Sequence, residues 1–343
     1  MDSYPIVRHP EVVMDPLEDV MTTMRVASSL YVHMKLRAPY GIRFDTRAQA
    51  RLVVITRGSC WVVADDLPQP VPLAAGDCLI VKAETKFALQ DELGRRLVAC
   101  EKILSKITGR TVRHGGDGVL MEMLSGALSF DAAAAEPLMA VMPRLVHVRL
   151  DEAHAHLLQT TLQLIGLETA ADGLGASLVI GRLHDVLFVQ AVRAWCAIDQ
   201  QAGGWLAGLK DDRLALSIRA MHGDLARGWT VETLAREAGL SRSTFAVTFK
   251  TVTGDTPLDY LTRWRMYRAK VLLRGSELSL IEIAERVGYE TDTALSRAFR
   301  RFEGVAPGEW RRSFRPGRSA TERRARPRPS RPPADMMRER KAG

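Results

Sequence analysis

The chain is short of several things. Aromatic residues make up only 6% of its 343 positions, and there are four cysteines. Cys60, Cys78, Cys100 and Cys196 are scattered with no C-x-x-C pair. That pattern argues for reduced thiols and against a disulfide framework or a cysteine zinc site. No uninterrupted apolar stretch approaches the roughly 18–20 residues that a membrane-spanning helix needs. The opening MDSYPIVRHPEVVMDP has an acid at its second position and no apolar block, unlike a secretory signal. What is present is 46% apolar, enough to bury ordinary cores, on a length that suits two domains with a connector. These features predict a cytoplasmic protein without a membrane partner.

Positive charge is concentrated at one end. Residues 1–205 carry 20 Lys and Arg against 23 Asp and Glu, whereas residues 206–343 carry 28 against 17. A terminal tail, Pro316–Gly343, holds 9 basic and 3 acidic residues among many prolines and is predicted to be disordered. Without it, residues 206–315 still carry a net +5. A basic segment beside a near-neutral one fits a nucleic-acid partner, and fits equally a solvated basic surface.

An internal repeat adds a mechanism. TVETLAREAGLSRSTFAVTFKTVTGDTPLDYL (Thr230–Leu261) parallels SLIEIAERVGYETDTALSRAFRRFEGVAPGEWR (Ser279–Arg311). Ala235 and Gly239 match Ala284 and Gly288 at an offset of 49; Phe249, Gly254, Pro257 and Tyr260 match Phe299, Gly304, Pro307 and Trp310 at 50. Each copy reads as a helix-turn-helix. Thr230, and Ser279 with Glu282, can cap the first helix. Ala235 and Ala284 allow close helix crossing, and Gly239 and Gly288 can take the positive φ of a tight turn. A second helix follows, with Phe245, Phe249 and Val252, or Leu295, Phe299 and Phe302, on one face.

The opposite faces are the candidate base readers. In the second copy these are Asp292, Thr293, Ser296, Arg297 and Arg300, with Arg301 alongside. Arg297 has the fork to pair with a guanine edge, and Asp292 can accept from cytosine or merely favour the helix N-terminus. In the first copy they are Ser243, Ala246, Val247 and Lys250, with Arg242. Ala246 and Val247 suit thymine methyls or packing. Between the copies, PLDYLTRWRMYRAKVLL (Pro257–Leu273) predicts a connecting helix, stiff enough to place two recognition helices in successive major grooves about 34 Å apart.

On these motifs, residues 211–315 resemble the DNA-binding domain of the AraC/XylS transcriptional regulators. The landmarks are WTVETLAREAGLSRSTF, the P-x-x-Y-L-x-x-W-R-M run from Pro257 to Met266, and IAERVGYET…LSRAFRRFEGVAPGEWR. Ala246 and Val247 depart from the longer polar side chains usual in that family. The resemblance implies double-stranded DNA as partner, a homodimer, and contact with RNA polymerase in activating transcription.

From Ser29 to about Phe130, short runs such as LYVHMKL, RLVVIT, CWVVA, DCLIVK and LVACEKI alternate with Gly, Pro and Asp clusters, predicting an antiparallel barrel or sandwich. RGSCWV (Arg57–Val62) and LAAGDCLIV (Leu73–Val81) resemble the two strand–turn units of a cupin barrel, as in AraC-type effector domains. Cupin metal centres use two His and a Glu from the first unit and a His from the second. Here ARLVVITRG offers Arg51 and no histidine, and the second unit ends at Phe87. His154 and His156 read as helical, pointing about 200° apart. Neither a metal, a cofactor nor a catalytic residue is therefore expected. His33, Arg51, Trp61 and Phe87 are candidate lining residues for an effector cavity, with core or surface roles as the alternative. HAHLLQTTLQLIGLE and GASLVIGRLHDVLFVQAVRAWCAI read as helices. The second is apolar around most of its circumference and by resemblance meets a second subunit.

The expected architecture is thus an α+β multidomain chain. A cupin-like antiparallel β-barrel effector domain spans 1–135, a helical connector 136–205, an all-α unit with two helix-turn-helix motifs 206–315, and the tail 316–343. The expected function is sequence-specific transcriptional regulation, with an N-terminal domain that senses a small molecule or mediates dimerisation. A cupin-type metalloenzyme with an accessory nucleic-acid domain, and a non-specific architectural DNA binder, are the competing classes.

Overall fold

The computed structural model describes residues 15–24, 27–45, 48–105, 111–149, 152–171, 173–198 and 203–314. The tail Pro316–Gly343 lies outside the described residues, as do the side chains of Glu152, His154 and His156.

Helix α1 (Pro16–Met24) leads into β1 (Ala27–Arg37), β2 (Gly41–Asp45), β3 (Ala50–Arg57), β4 (Ser59–Ala64), β5 (Val71–Ala74), β6 (Cys78–Lys82), β7 (Lys86–Gln90) and β8 (Val98–Ala99). Helix α2 (Cys100–Leu104), β9 (Thr111–Gly115), β10 (Leu120–Ser129), α3 (Ala132–Val141) and β11 (Leu145–Val148) follow. The remainder is helical: α4 (Glu152–Ala171), α5 (Ala176–Ile198), α6 (Trp205–Lys210), α7 (Asp212–Gly223), α8 (Val231–Glu237) and α9 (Arg242–Thr253). It ends with α10 (Pro257–Gly275), α11 (Leu280–Arg286), α12 (Asp292–Glu303) and α13 (Pro307–Phe314).

The strands form two open sheets, ordered β11-β6-β3-β10-β1-β9 and β5-β4-β7-β2-β8. This corrects the expected closed, wholly antiparallel barrel. Edge strands β5 and β8 have four and two residues, too short to carry a ladder around to the other sheet. Two edge pairings, β9 on β1 and β8 on β2, are parallel. Gly58, at φ 76°, turns the chain from β3 in one sheet into β4 in the other. Strand β11 also falls within the stretch expected to be a helical connector.

At β3 the six-stranded sheet is buried on both sides, which is why RLVVIT reads as a near-continuous apolar run. Its inner side (Met34, Leu36, Val53, Ile55, Met123) packs on Ile42, Phe44, Val62, Phe87 and Leu89 of the second sheet. Its outer side (Leu52, Val54, Ile80, Leu124, Leu128) meets Leu187, Phe188 and Ala191 of α5. Helix α5 approaches closely at Gly126, where a Cβ would lie 2.6 Å from the His184 imidazole. Burial there pushes His184 down to a pKa of about 4.

Helix α10 is the rod between the two helical pairs, and it divides its surface between two cores. Tyr260, Leu261, Trp264 and Tyr267 join the core containing α8 and α9, whereas Met266, Ala269 and Leu273 join that of α11 and α12. The rod also docks on the N-terminal part. Tyr267 OH donates to Ala134 O at 2.8 Å, Arg268 pairs with Asp19 at 3.1 Å, and Arg274 pairs with Asp131 at 2.9 Å. Lys270 is ion-paired to Glu136, and Trp205 Nε1 donates to Pro137 O at 3.0 Å. Among the described residues, no helix is long and apolar enough to cross a membrane.

Candidate nucleic-acid interface

Both helical pairs are built from local signals. Thr230 caps α8 in a capping box closed by Thr233, and Ser279 caps α11 in a box closed by Glu282. Gly239 and Gly288 sit at φ 61° and 82° and end those first helices in a turn. Ser241 and Thr291 then cap α9 and α12, and Gly254 and Gly304 close them in the left-handed region. Phe245 and Phe249, like Leu295 and Phe299, are fully buried, which fixes how each second helix is rotated. Phe302, expected on the buried face, is instead 44% exposed and lines a recess with Trp264 and Glu136.

With that rotation, the candidate residues fall on matched outward faces fifty positions apart. Thr293, Arg297, Arg300 and Arg301 are exposed on α12, Asp292 lies at its first turn, and Ser296 is half-buried beside them. On α9 the places of Asp292, Thr293, Arg297 and Arg300 hold Arg242, Ser243, Val247 and Lys250, all exposed; the half-buried Ala246 matches Ser296, and Thr251 stands where α12 has Arg301. Val247 is 68% exposed, an apolar side chain where α12 has Arg297. Among the described residues, Arg297, Arg300, Arg301 and Lys250 have no ion-pair partner. Arg242 Nε lies 2.7 Å from Glu232 Oε1, both well exposed, so water screens the pair and a phosphate can displace it readily.

The two pairs are tied together by a residue that sequence reasoning passed over. Arg265, on the rod, donates from Nε to Leu225 O at 2.8 Å and from Nη2 to Arg227 O at 2.9 Å, before α8. Its guanidinium also lies 5.7 Å from the Tyr289 ring centroid, in the turn of the second pair. The only sequence signal was its place inside the W-R-M run, which says nothing of such a bridge.

A family model described as a helix-turn-helix domain matches residues 234–313, and one described as a cupin matches residues 15–197. A putative AraC-like transcription regulator of Streptomyces lividans is 35% identical over 87% of this chain and 98% of its own length. The chain is an AraC-like transcriptional regulator. The HTH-type transcriptional regulator AlkR of Acinetobacter baylyi is 28% identical over 87% of this chain and 99% of its own. Among solved structures, the DNA-binding domain of AdpA in complex with a target DNA covers 31% of this chain and 95% of that one, at 37% identity and a TM-score of 0.30. By its two family matches and its AraC-like relatives, this protein is a DNA-binding regulator with a cupin N-terminal domain.

The four residues read as cavity-lining in the regulator's N-terminal half do not share one cavity. Phe87 is buried between the sheets, stacked on Phe44 at 4.7 Å. Arg51 joins it there, its guanidinium 5.6 Å from the Phe44 ring and its Nη1 donating to Ser125 Oγ at 2.9 Å. Trp61 alternates with the buried Cys60 and Val62, so it projects from the far side of the second sheet. His33 projects from the opposite side, off the outer face of the six-stranded sheet, 2.9 Å from Glu122. Burial lowers its pKa, and Glu122 works against that. Among the described residues, no group of three or more His, Cys, Asp or Glu is placed to hold a metal ion. Burial raises the Cys60, Cys78 and Cys100 thiols, leaving them protonated near neutral pH.

Proposed function

We propose that this regulator acts in the cytoplasm as a homodimer, reads its operator mainly through α12, and alters that engagement when its N-terminal part takes up a small-molecule effector. The reading divides the chain into an effector unit (1–135), a connector (136–205), a DNA-binding unit (206–315) and a basic tail (316–343). The observation that carries it is the unequal chemistry of two matched faces. Arg297 can donate to both O6 and N7 of one guanine, while Val247 and Ala246 on α9 can only touch thymine methyls. Thr293 and Ser296 add short polar contacts, Asp292 an acceptor, and Lys250, Arg300 and Arg301 pair with phosphates.

Support for the dimer comes from α4. Leu157, Leu164 and Leu167 are 57%, 48% and 68% exposed at heptad-like spacing, a stripe that a second copy would cover. Support for effector control comes from the rod, whose ion pairs to α1 and α3 give the N-terminal part a direct hold on the helix that spaces the recognition helices. An effector works only if it binds the two arrangements unequally. Activation through RNA polymerase follows from the family resemblance.

Chromatin mapping of the tagged protein tests the reading. Occupied sites should share a motif with two blocks one helical turn apart, and metabolites handled by the neighbouring genes should shift its occupancy. Scattered occupancy without a motif would overturn it.

A further inference from the structure

Strand β1 alternates His33, Lys35 and Arg37 with the buried Val32, Met34 and Leu36, so the three polar residues project from the outer face of the six-stranded sheet. The register then builds an unusual rung. Lys35 lies opposite Arg113 on β9 and opposite Glu122 on β10, and Glu122 lies opposite Arg57 on β3. Across four strands the rung reads Arg113, Lys35, Glu122, Arg57: three fixed cations and one carboxylate. That carboxylate is already shared, with His33 Nε2 at 2.9 Å, Lys35 Nζ at 3.6 Å and Arg57 Nη1 at 4.0 Å. Arg113 has no ion-pair partner among the described residues, and it faces a like charge directly across the ladder, which is destabilising.

The rung borders a recess of about 490 Å³ between the sheet and α4, a size that suits a small molecule. Leu162 and Ile165 of α4, facing Leu124 of the sheet beside the rung, give it an apolar side, with Gly166 and Thr169 of α4 also lining it. A cationic ligand would meet three cations here. An uncharged one would leave Lys35 and Arg113 repelling each other. We propose that this recess binds a small organic monocarboxylic acid, its carboxylate between Lys35 and Arg113 and its apolar body against Leu124, Leu162 and Ile165. The inference rests on the reading of the N-terminal part as an effector unit, and it puts the effector outside the inter-sheet core. A ligand there wedges the sheet against α4, the helix that carries Leu157, Leu164 and Leu167.

Calorimetric titration of the full chain with butanoate, hexanoate, octanoate and benzoate tests this, with hexanamide, hexylamine and inorganic phosphate as controls. At least one acid should give a one-site isotherm, and the controls should give none. Its Kd should rise about tenfold or more when Lys35→Gln and Arg113→Gln are combined, as expected for a lost charged hydrogen bond. A second variant, Gly166→Phe, adds a ring at a position that lines the recess and leaves its charges in place; the Cβ itself meets no atom within 4 Å, so the helix tolerates it. It should weaken the acid equally. The proposal is overturned if no acid titrates, if either variant binds the acid unchanged, or if phosphate or hexanamide binds as well. Operator binding by the same preparations separates the two readings. A chain that holds DNA but no acid loses only this site, whereas one that holds no specific DNA loses the regulator reading.

Discussion

Lys270 Nζ, on a rod residue only 4% exposed, lies 3.0 Å from Glu303 Oε1 at the end of α12 and is also bound to Glu136 of α3. One buried cation therefore joins the N-terminal part, the rod and the second recognition helix. Lys270→Met keeps the apolar stem but leaves two carboxylates facing each other. It should lower stability by about 1–3 kcal/mol, read as a fall in the urea midpoint. Glu136, whose side chain is 55% exposed, can turn to water, so Glu136→Gln should cost under about 1 kcal/mol. Equal midpoints for Lys270→Met and wild type would contradict the role given to this junction.

The two turn glycines should not respond alike. A Cβ at Gly239 meets nothing within 4 Å, so Gly239→Ala bears only the left-handed backbone penalty, about 1–2 kcal/mol. At Gly288 a Cβ would lie 2.6 Å from Arg265 Nη2 and 2.9 Å from Ala226 Cα. Gly288→Ala should therefore cost more than Gly239→Ala by urea unfolding, since it also displaces the Arg265 bridge. The reverse order would mean that the bridge does not constrain the turn.

Stability should fall on mild acidification because of buried histidines. His222, 2.9 Å from Tyr260 OH, is held neutral by burial with a pKa of about 3, and His184 sits at about 4. Both are below the ordinary 6.5, so the unfolded chain binds protons that the folded chain refuses. Their contribution is complete above pH 6.5 and is lost as pH falls toward those folded values, at about 1.4 kcal/mol per pH unit for each group. Between about pH 6.5 and 5, His222→Phe should show a shallower loss of stability than wild type, by about 1–2 kcal/mol. Parallel curves would mean that His222 is not excluded from protonation.

The tail should act through charge alone. Removing Pro316–Gly343 takes away nine basic and three acidic residues and should flatten the dependence of log Kd on log salt, leaving the preferred sequence unchanged. Loss of sequence preference in a salt titration series would place part of the reading surface in the tail.

The helical half was legible because its signals are local. Capping residues, turn glycines and the spacing of Phe245 and Phe249, or Leu295 and Phe299, fix each second helix's rotation and hence its outward face. The N-terminal half was legible only as short strands. Barrel closure depends on edges such as the two-residue β8, and a two-residue strand leaves little trace in composition. His33 showed the same limit. Its alternation with Val32 and Met34 was visible, yet which face was the inner one depended on a partner sheet far along the chain. The bonds from Arg265, Arg268, Lys270 and Arg274 were hidden for the same reason, because each reaches a partner set by long-range docking. Strand β11 was missed within a stretch otherwise made of helices.

The most direct test of the account is the base preference of Arg297→Ala, measured as Kd against every single-base variant of the operator at fixed salt. The account predicts a loss of about 1–3 kcal/mol on the operator, with discrimination collapsing at one guanine and persisting elsewhere. An equal weakening on all duplexes, unrelated ones included, would make Arg297 a phosphate contact and contradict base reading by α12.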